Sequence, residues 1–197
     1  MTQKTSYVTR LDRVGGLSNT ERFTLQEVTE KYPFRSNDYY LSLIDWNDPD
    51  DPIRRIAVPS PAELMNSGRL DASNEKSYTR VPGLEHKYEH TALLLVNDVC
   101  GTYCRFCFRK RLFMPQNDEV VRDVTPGIEY IREHSELNNI LLTGGDPLLM
   151  STRKLEFIIS RLREIEHVRI IRIGSKIPAF DPNRILNDPA LIAMLER

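Results

Sequence analysis

The distribution of apolar and polar positions divides the chain into two regions of different character. Up to about residue 80 the apolar positions are scattered, and only short helices are predicted. One begins at a cap formed by Ser18 and Glu21, one covers 39–44, and one begins at Ala62. The polar segment 68–80 is predicted to be a loop. The first region is therefore expected to be a mostly helical leader.

After about residue 90, short apolar runs alternate with amphipathic segments. The apolar runs have the length of buried strands, and the amphipathic segments have apolar residues at helical spacing. Alternation of strands and helices predicts parallel strands joined by right-handed crossovers, which is an α/β fold. The predicted order is strand 91–97, helix 125–135, strand 139–142, helix 154–164, strand 168–173 and helix 188–196.

Length, composition and charge restrict the function classes. The chain has 197 residues and 40% hydrophobic content, which is enough for one substantial core. The formal net charge of −1 implies no bulk attraction to nucleic acid or to a membrane surface. No apolar run is long enough to cross a bilayer, and the polar residues 1–6 do not resemble a signal peptide. We therefore expect a cytoplasmic protein with reduced thiols.

All three cysteines lie within eight residues, at Cys100, Cys104 and Cys107. They follow the predicted strand 91–97, so they are expected on a loop at the carboxyl end of a strand, where α/β folds place their chemistry. Three thiolates can bind three irons of a four-iron cluster and leave the fourth iron open. The alternatives are unrelated buried thiols and a zinc site. Zinc typically takes four ligands, and His86 and His90 lie before the strand, where they are poorly placed to supply the fourth.

Two further segments carry candidate chemistry. Gly144 and Gly145 end the predicted strand 139–142, and Asp146 follows them. Two glycines allow backbone to approach a ligand closely, although an ordinary strand-ending turn has the same composition. In the basic run 105–111, Lys110 and Arg111 are expected on a solvated face.

Taken together, these motifs resemble the radical S-adenosylmethionine (SAM) enzymes of the lysine 2,3-aminomutase family. The spacing C-x3-C-x2-C after a buried strand is similar to the radical SAM signature, and family-like segments run from about residue 39 to residue 185. The narrower resemblance is carried, in order, by Tyr39-Tyr-Leu-Ser-Leu-Ile-Asp45, Pro82-Gly-Leu84, Asp98-Val-Cys100, Cys104-Arg-Phe-Cys107-Phe-Arg109 and Thr143-Gly-Gly-Asp-Pro147.

The resemblance implies a partial (βα) radical-SAM barrel. Residues 1–85 would form the helical leader and residues 86–197 the first half of the barrel, with about three βα units; the other half is expected to lie outside this chain. By resemblance, Cys100, Cys104 and Cys107 bind a [4Fe-4S] cluster, and Arg109 pairs with the substrate carboxylate. Gly144, Gly145 and Asp146 are implied to lie against the methionine ammonium group of SAM.

The function implied by the resemblance is migration of an amino group between adjacent carbons of an amino acid. It uses a 5′-deoxyadenosyl radical made from SAM and a pyridoxal phosphate (PLP) cofactor. The family's PLP lysine and the acidic residues for the substrate amine lie beyond the matched part, and Thr91 stands where the family has a basic residue. Expected partners are a small amino-acid substrate and an electron donor such as flavodoxin or ferredoxin, with a homo-oligomer left open. The alternatives are a truncated, catalytically silent cluster-binding fragment and a zinc-binding structural module.

Overall fold

Seven strands and eight α-helices are formed by the residues that the computed structural model describes, 5–65 and 68–197. The strands are β1 (Tyr7–Val8), β2 (Ser36–Asn37), β3 (Thr79–Val81), β4 (Leu84–Tyr88), β5 (Thr91–Asn97), β6 (Asn139–Gly144) and β7 (Ile170–Ile173). The helices are α1 (Asn19–Lys31), α2 (Asp38–Ser42), α3 (Pro52–Ala57), α4 (Thr125–Glu133), α5 (Thr152–Arg163), α6 (Ile177–Phe180), α7 (Asn183–Leu186) and α8 (Pro189–Leu195). None of these helices is both long enough and apolar enough to span a membrane. The signal-peptide prediction rests in part on residues 1–4, which lie outside the described residues.

Five strands form one open sheet in the order β3-β4-β5-β6-β7. Strands β5, β6 and β7 are parallel, and Leu94, Leu142 and Ile173 lie side by side in register. Helices α4 and α5 connect these strands, as the alternating sequence pattern predicts. The predicted α/β class is therefore confirmed, with β5 at the predicted bounds and β7 two residues shorter than predicted.

The hydrophobic core lies between the sheet and helices α4, α5 and α8. Alternate strand residues face it, because successive side chains of a strand point to opposite sides of the sheet. Each fully buried aliphatic side chain of this kind contributes about 1.5–3 kcal/mol relative to exposure. The opposite face of the sheet carries Glu85 and Thr143, which belong to the site described below. Fully buried members of the core include Leu84, Leu94, Ile131, Ile140, Leu142, Leu155, Ile158 and Leu162.

The N-terminal region agrees with the predicted leader only in part. Ser18 caps helix α1, and its side chain and that of Glu21 form the predicted capping box. The predicted loop 68–80 is wrong at its end, where a 3-10 helix at 75–78 leads into β3. Strand β4 was also missed, and the predicted boundary at residue 85 falls inside it. The sequence of β4, Leu-Glu-His-Lys-Tyr, is too polar to show the apolar alternation of a strand.

Candidate functional site

The three cysteines lie on the segment that follows β5, which we call the cysteine loop (residues 98–107). All three thiols are free and partly exposed. The loop turns back on itself between the last two cysteines, where the N–H of Cys107 donates to the carbonyl of Cys104 at 3.0 Å. A groove of about 370 Å³ opens beside Cys107 and gives solvent access to that side of the loop.

The glycine pair lies directly against the cysteine loop. Because β5 and β6 are parallel and Asn97 pairs with Gly144, both strands end at the same edge of the sheet. A Cβ atom on Gly145 would lie 2.6 Å from the backbone N and O atoms of Val99. One on Gly144, which has a φ of +104°, would lie 2.5 Å from the carbonyl oxygen of Asn97. The absence of side chains at Gly144 and Gly145 therefore allows the backbone at residues 97–99 to pack closely against them. The sequence had led us to expect that this space would be for a ligand.

Asp146 anchors the glycine segment (residues 144–146) to the turn that follows β7. Its buried carboxylate accepts hydrogen bonds from the Ser175 hydroxyl at 2.7 Å and from the N–H groups of Lys176 at 2.7 Å and Ile177 at 3.1 Å. A further bond comes from the N–H of Leu148 at 3.0 Å. Burial raises the pKa of Asp146, while these hydrogen bonds oppose the shift. The Asp146 side chain, which the resemblance placed near SAM, is thus fully engaged in hydrogen bonds within the protein.

Asn97 is a site residue that the sequence did not reveal. Its side-chain amide donates to the carbonyl of Val99 at 2.8 Å and to the carbonyl of Asp146 at 2.7 Å. One side chain therefore joins the start of the cysteine loop to the glycine segment. The only sequence signal is a polar residue at the end of an otherwise apolar strand.

The N-terminal region holds the other side of the cysteine loop. The guanidinium of Arg35 donates to the carbonyl of Cys100 at 2.9 Å, and Ser36 hydrogen-bonds Thr102 at 3.1 Å. Arg105, which lies between two of the cysteines, is buried and donates to both oxygens of Glu63 at 2.8 and 2.9 Å. Residues more than 40 positions away in sequence therefore fix the position of the loop.

Next to the loop is a buried ionic cluster consisting of Asp71, Glu75, Glu85, Arg109, Arg111 and Glu119. Arg109 donates to Glu75 at 2.6–3.1 Å and to the hydroxyl of Thr143 at 2.8 Å. Arg111 donates to Glu75 at 2.6 Å and to Glu119 at 2.9 Å. The prediction of a solvated face for Arg111 is therefore wrong, because Arg111 is buried and the carboxylates of Glu75 and Glu119 neutralise its charge.

The carboxylates of the ionic cluster have different electrostatic environments. Burial alone would raise the pKa of Glu75, but hydrogen bonds and charges from Arg109 and Arg111 outweigh it and lower that pKa. Glu85 is 3% exposed and lies 3.8 Å from Arg109, with no hydrogen-bond partner for its Oε1 atom. Burial and the neighbouring charge of Glu75 raise the pKa of Glu85 to about 7. Glu75 is thus a stable anion, and Glu85 is partly protonated near neutral pH.

Burial also raises the pKa values of the Cys100 and Cys107 thiols, with the Asp146 carboxylate adding to the effect at Cys100. Both thiols are therefore protonated at neutral pH in the absence of a metal. Metal binding at this loop must release protons, since thiolates are the ligands.

Three parallel strands joined by helices, with three free thiols on the loop after the first of these strands, define the fold and the candidate site of this chain. Residues 94–195 match the family model of the radical SAM superfamily. The chain belongs to the radical SAM superfamily.

Within that superfamily the chain is similar to L-lysine 2,3-aminomutases. It is 59% identical over 196 residues to an Aquifex aeolicus (strain VF5) protein named "Putative L-lysine 2,3-aminomutase", which covers 100% of this chain and 52% of that protein. It is 47% identical over 163 residues to the L-lysine 2,3-aminomutase of Acetoanaerobium sticklandii, covering 81% of this chain and 39% of that protein. It is 44% identical over 162 residues to the L-lysine 2,3-aminomutase of Clostridium subterminale, covering 81% of this chain and 38% of that protein. The chain thus spans about half or less of the length of these curated relatives, and the resemblance predicted from its motifs is confirmed.

Proposed function

We propose that this chain binds a [4Fe-4S] cluster through Cys100, Cys104 and Cys107, binds SAM at the iron that lacks a protein ligand, and belongs to an amino-acid aminomutase. The observation that carries the proposal is the presence of three free thiols on one loop beside the glycine segment. The similarity to L-lysine 2,3-aminomutases makes lysine the first substrate to test.

Three free thiols on one loop are a donor set that a four-iron cluster can take. The described ranges 5–65 and 68–197 contain no group of three or more His, Cys, Asp or Glu side chains gathered to hold one ion. Cysteines that bind a four-iron cluster each coordinate a different iron, so their sulfur atoms need not converge on one point. A four-iron cluster therefore does not require the convergent set of ligands that one zinc ion requires.

When bound and reduced, such a cluster supplies the electron for reductive cleavage of a carbon–sulfur bond in SAM. The residues of this chain would supply positioning. Asn97 and the glycine pair hold the cysteine loop against the end of β6, and Arg35 and Arg105 hold it from the N-terminal side. The glycine pair would present backbone groups to SAM, and Asp146, whose side chain, N–H and carbonyl are all hydrogen-bonded within the protein, would hold the pair in place.

The remaining parts of the proposal come from the family resemblance. Arg109 would recognise the substrate carboxylate, since a guanidinium binds a carboxylate through two parallel hydrogen bonds. PLP would be the second cofactor, and no residue of this chain is assigned to it. A flavodoxin or ferredoxin would supply electrons in the cytoplasm. The region 1–85 would act as the leader that positions the cysteine loop.

The experiment is a SAM-cleavage assay on the anaerobically reconstituted chain with dithionite, PLP and L-lysine. We expect 5′-deoxyadenosine to form with the wild-type protein and not with Cys104→Ala. The matched control is Phe106→Ala, because this side chain lies on the same loop and is 68% exposed. Equal 5′-deoxyadenosine formation in the Cys104→Ala variant would contradict the proposal, and β-lysine in the product would extend it to amino-group migration.

A further inference from the structure

Arg109 is held in a single orientation by contacts on two edges of its guanidinium group. Its Nε and Nη2 atoms donate to the carboxylate of Glu75 at 2.6–3.1 Å, and Nη1 donates to the hydroxyl of Thr143 at 2.8 Å. Arg109 is 7% exposed and Glu75 is 5% exposed, so water competes little for these bonds. Because the guanidinium is planar and its donors are rigid, these contacts determine where its remaining N–H groups point.

We propose that Glu75 is the positioning residue for Arg109: it aims the guanidinium toward the end of β6, where the substrate carboxylate would bind. The inference rests on the proposed function, in which Arg109 recognises that carboxylate. Thr143 directly precedes the glycine segment, so the Glu75–Arg109–Thr143 chain ends at the proposed SAM site.

The backbone before Glu75 directs its side chain into the ionic cluster. Asn74 has a φ of +54° and is, among the described residues, the only non-glycine residue with a positive φ. The Asp71 carboxylate accepts hydrogen bonds from the N–H groups of Glu75 at 2.8 Å and Lys76 at 3.0 Å. Asparagine is among the few residues other than glycine that adopt left-handed backbone readily, so this conformation serves a local turn. Here it turns the chain so that Glu75 enters the buried ionic cluster.

Glu75 also connects the two arginines of the cluster. Its Oε1 atom accepts the shortest bond from Arg109, and its Oε2 atom accepts from Arg111 at 2.6 Å. Glu119 holds Arg111 from the other side at 2.9 Å. Without the Glu75 charge, the nearest carboxylate to Arg109 is Glu85 at 3.8 Å. Removing that charge should therefore turn Arg109 toward Glu85 and away from its present direction.

The first test measures the contact directly. Hydrogen exchange of the Arg109 Nε–H group is followed by ¹⁵N NMR in the wild-type protein and in the variants Glu75→Gln and Glu119→Gln. Glu119→Gln is the matched control, because it removes one carboxylate from the same cluster through a residue whose hydrogen bonds go to Arg111. We expect exchange to be at least about tenfold faster in Glu75→Gln and unchanged in Glu119→Gln. Unchanged exchange in Glu75→Gln would overturn the proposal.

The second test measures positioning. Wild-type and variant proteins, reconstituted with cluster, SAM and PLP, are titrated with L-lysine and with cadaverine, which lacks the carboxylate. The preference for lysine over cadaverine should fall by at least about tenfold in Glu75→Gln and stay at the wild-type value in Glu119→Gln. If Glu75→Gln does not fold, Glu75→Asp keeps the charge, shortens the reach by one methylene group and should lose part of the preference.

The outcomes separate the two claims. Wild-type preference for lysine that persists in both Glu75 variants would overturn the positioning role and leave the proposed function intact. A wild-type protein that binds lysine and cadaverine equally would overturn the carboxylate role of Arg109, and the positioning role with it. Iron content and the electron paramagnetic resonance spectrum should not change in Glu75→Gln, because none of the hydrogen bonds of Glu75 goes to a cysteine.

Discussion

Replacing Glu85 by glutamine should stabilise the protein at pH 8 and have a much smaller effect at pH 5. Glu85 is buried on β4 with an unpartnered Oε1 atom, and its nearest cation is Arg109 at 3.8 Å. Burial and the charge of Glu75 raise its pKa from an ordinary 4.5 to about 7. Glutamine has the size of the protonated acid and never carries the charge that burial penalises.

The sign and magnitude follow from proton linkage. Between pH 4.5 and about 7 the folded protein binds more protons at Glu85 than the unfolded chain does, so stability falls as pH rises through this window. One pKa unit corresponds to about 1.4 kcal/mol, so the full effect is on the order of 3 kcal/mol at pH 8. The Glu75 carboxylate, whose pKa is lowered, titrates below this window and does not cancel the effect.

The assay is urea unfolding of wild-type and Glu85→Gln proteins at pH 5, 6, 7 and 8. Glu89→Gln is the matched control, because its side chain is 82% exposed and lies close in sequence. The stability difference between Glu85→Gln and wild type should grow with pH, and that for Glu89→Gln should stay near zero. A Glu85→Gln protein that is less stable than wild type at pH 8, or a difference independent of pH, would refute the reasoning.

Three further substitutions test the local structure. Gly145→Ala places a Cβ atom 2.6 Å from the Val99 backbone and should lower bound iron per chain and cost roughly 1–3 kcal/mol. The control is Gly174→Ala, whose Cβ atom meets nothing closer than 3.6 Å and which should keep the wild-type iron content. Equal iron content in the two variants would contradict the prediction. Asn74→Ala should cost about 1 kcal/mol in urea unfolding while Asn74→Gly is tolerated, and equal losses would count against the left-handed backbone. Ser18→Ala should cost about 1 kcal/mol through loss of the capping box of α1, and an unchanged urea midpoint would refute this.

The parts of the fold that could be predicted from sequence are those in which one local pattern decides the structure. Strands β5 and β6 are continuous apolar runs, and α5 repeats Leu155, Ile158 and Leu162 at helical spacing. The side chains of Ser18 and Glu21 each accept a hydrogen bond from the backbone N–H of the other residue. Both residues lie within one turn, so their sequence spacing suffices to predict the cap. In each case the residues that interact are close in sequence.

The parts that could not be predicted depend on partners distant in sequence. Glu85 lies on the face of β4 opposite the hydrophobic core, and a charged residue there is predicted to be solvent-exposed until Arg109 is known to approach it. Arg111 reads as a surface residue for the same reason, because its partner Glu75 is 36 residues away. The cysteine spacing identified the candidate cofactor, but the contacts that hold the loop, such as that of Asn97 with the glycine segment, appear only in three dimensions.

The central claim is that Cys100, Cys104 and Cys107 bind a four-iron cluster with one iron open to SAM. The most direct test is electron paramagnetic resonance of the anaerobically reconstituted, dithionite-reduced protein with and without SAM, combined with iron, sulfide and zinc assays. We predict roughly four irons per chain, a cluster signal that SAM alters, and loss of that signal in the triple Cys→Ala variant. One zinc per chain with no iron, or a spectrum that the triple variant leaves unchanged, would contradict the account.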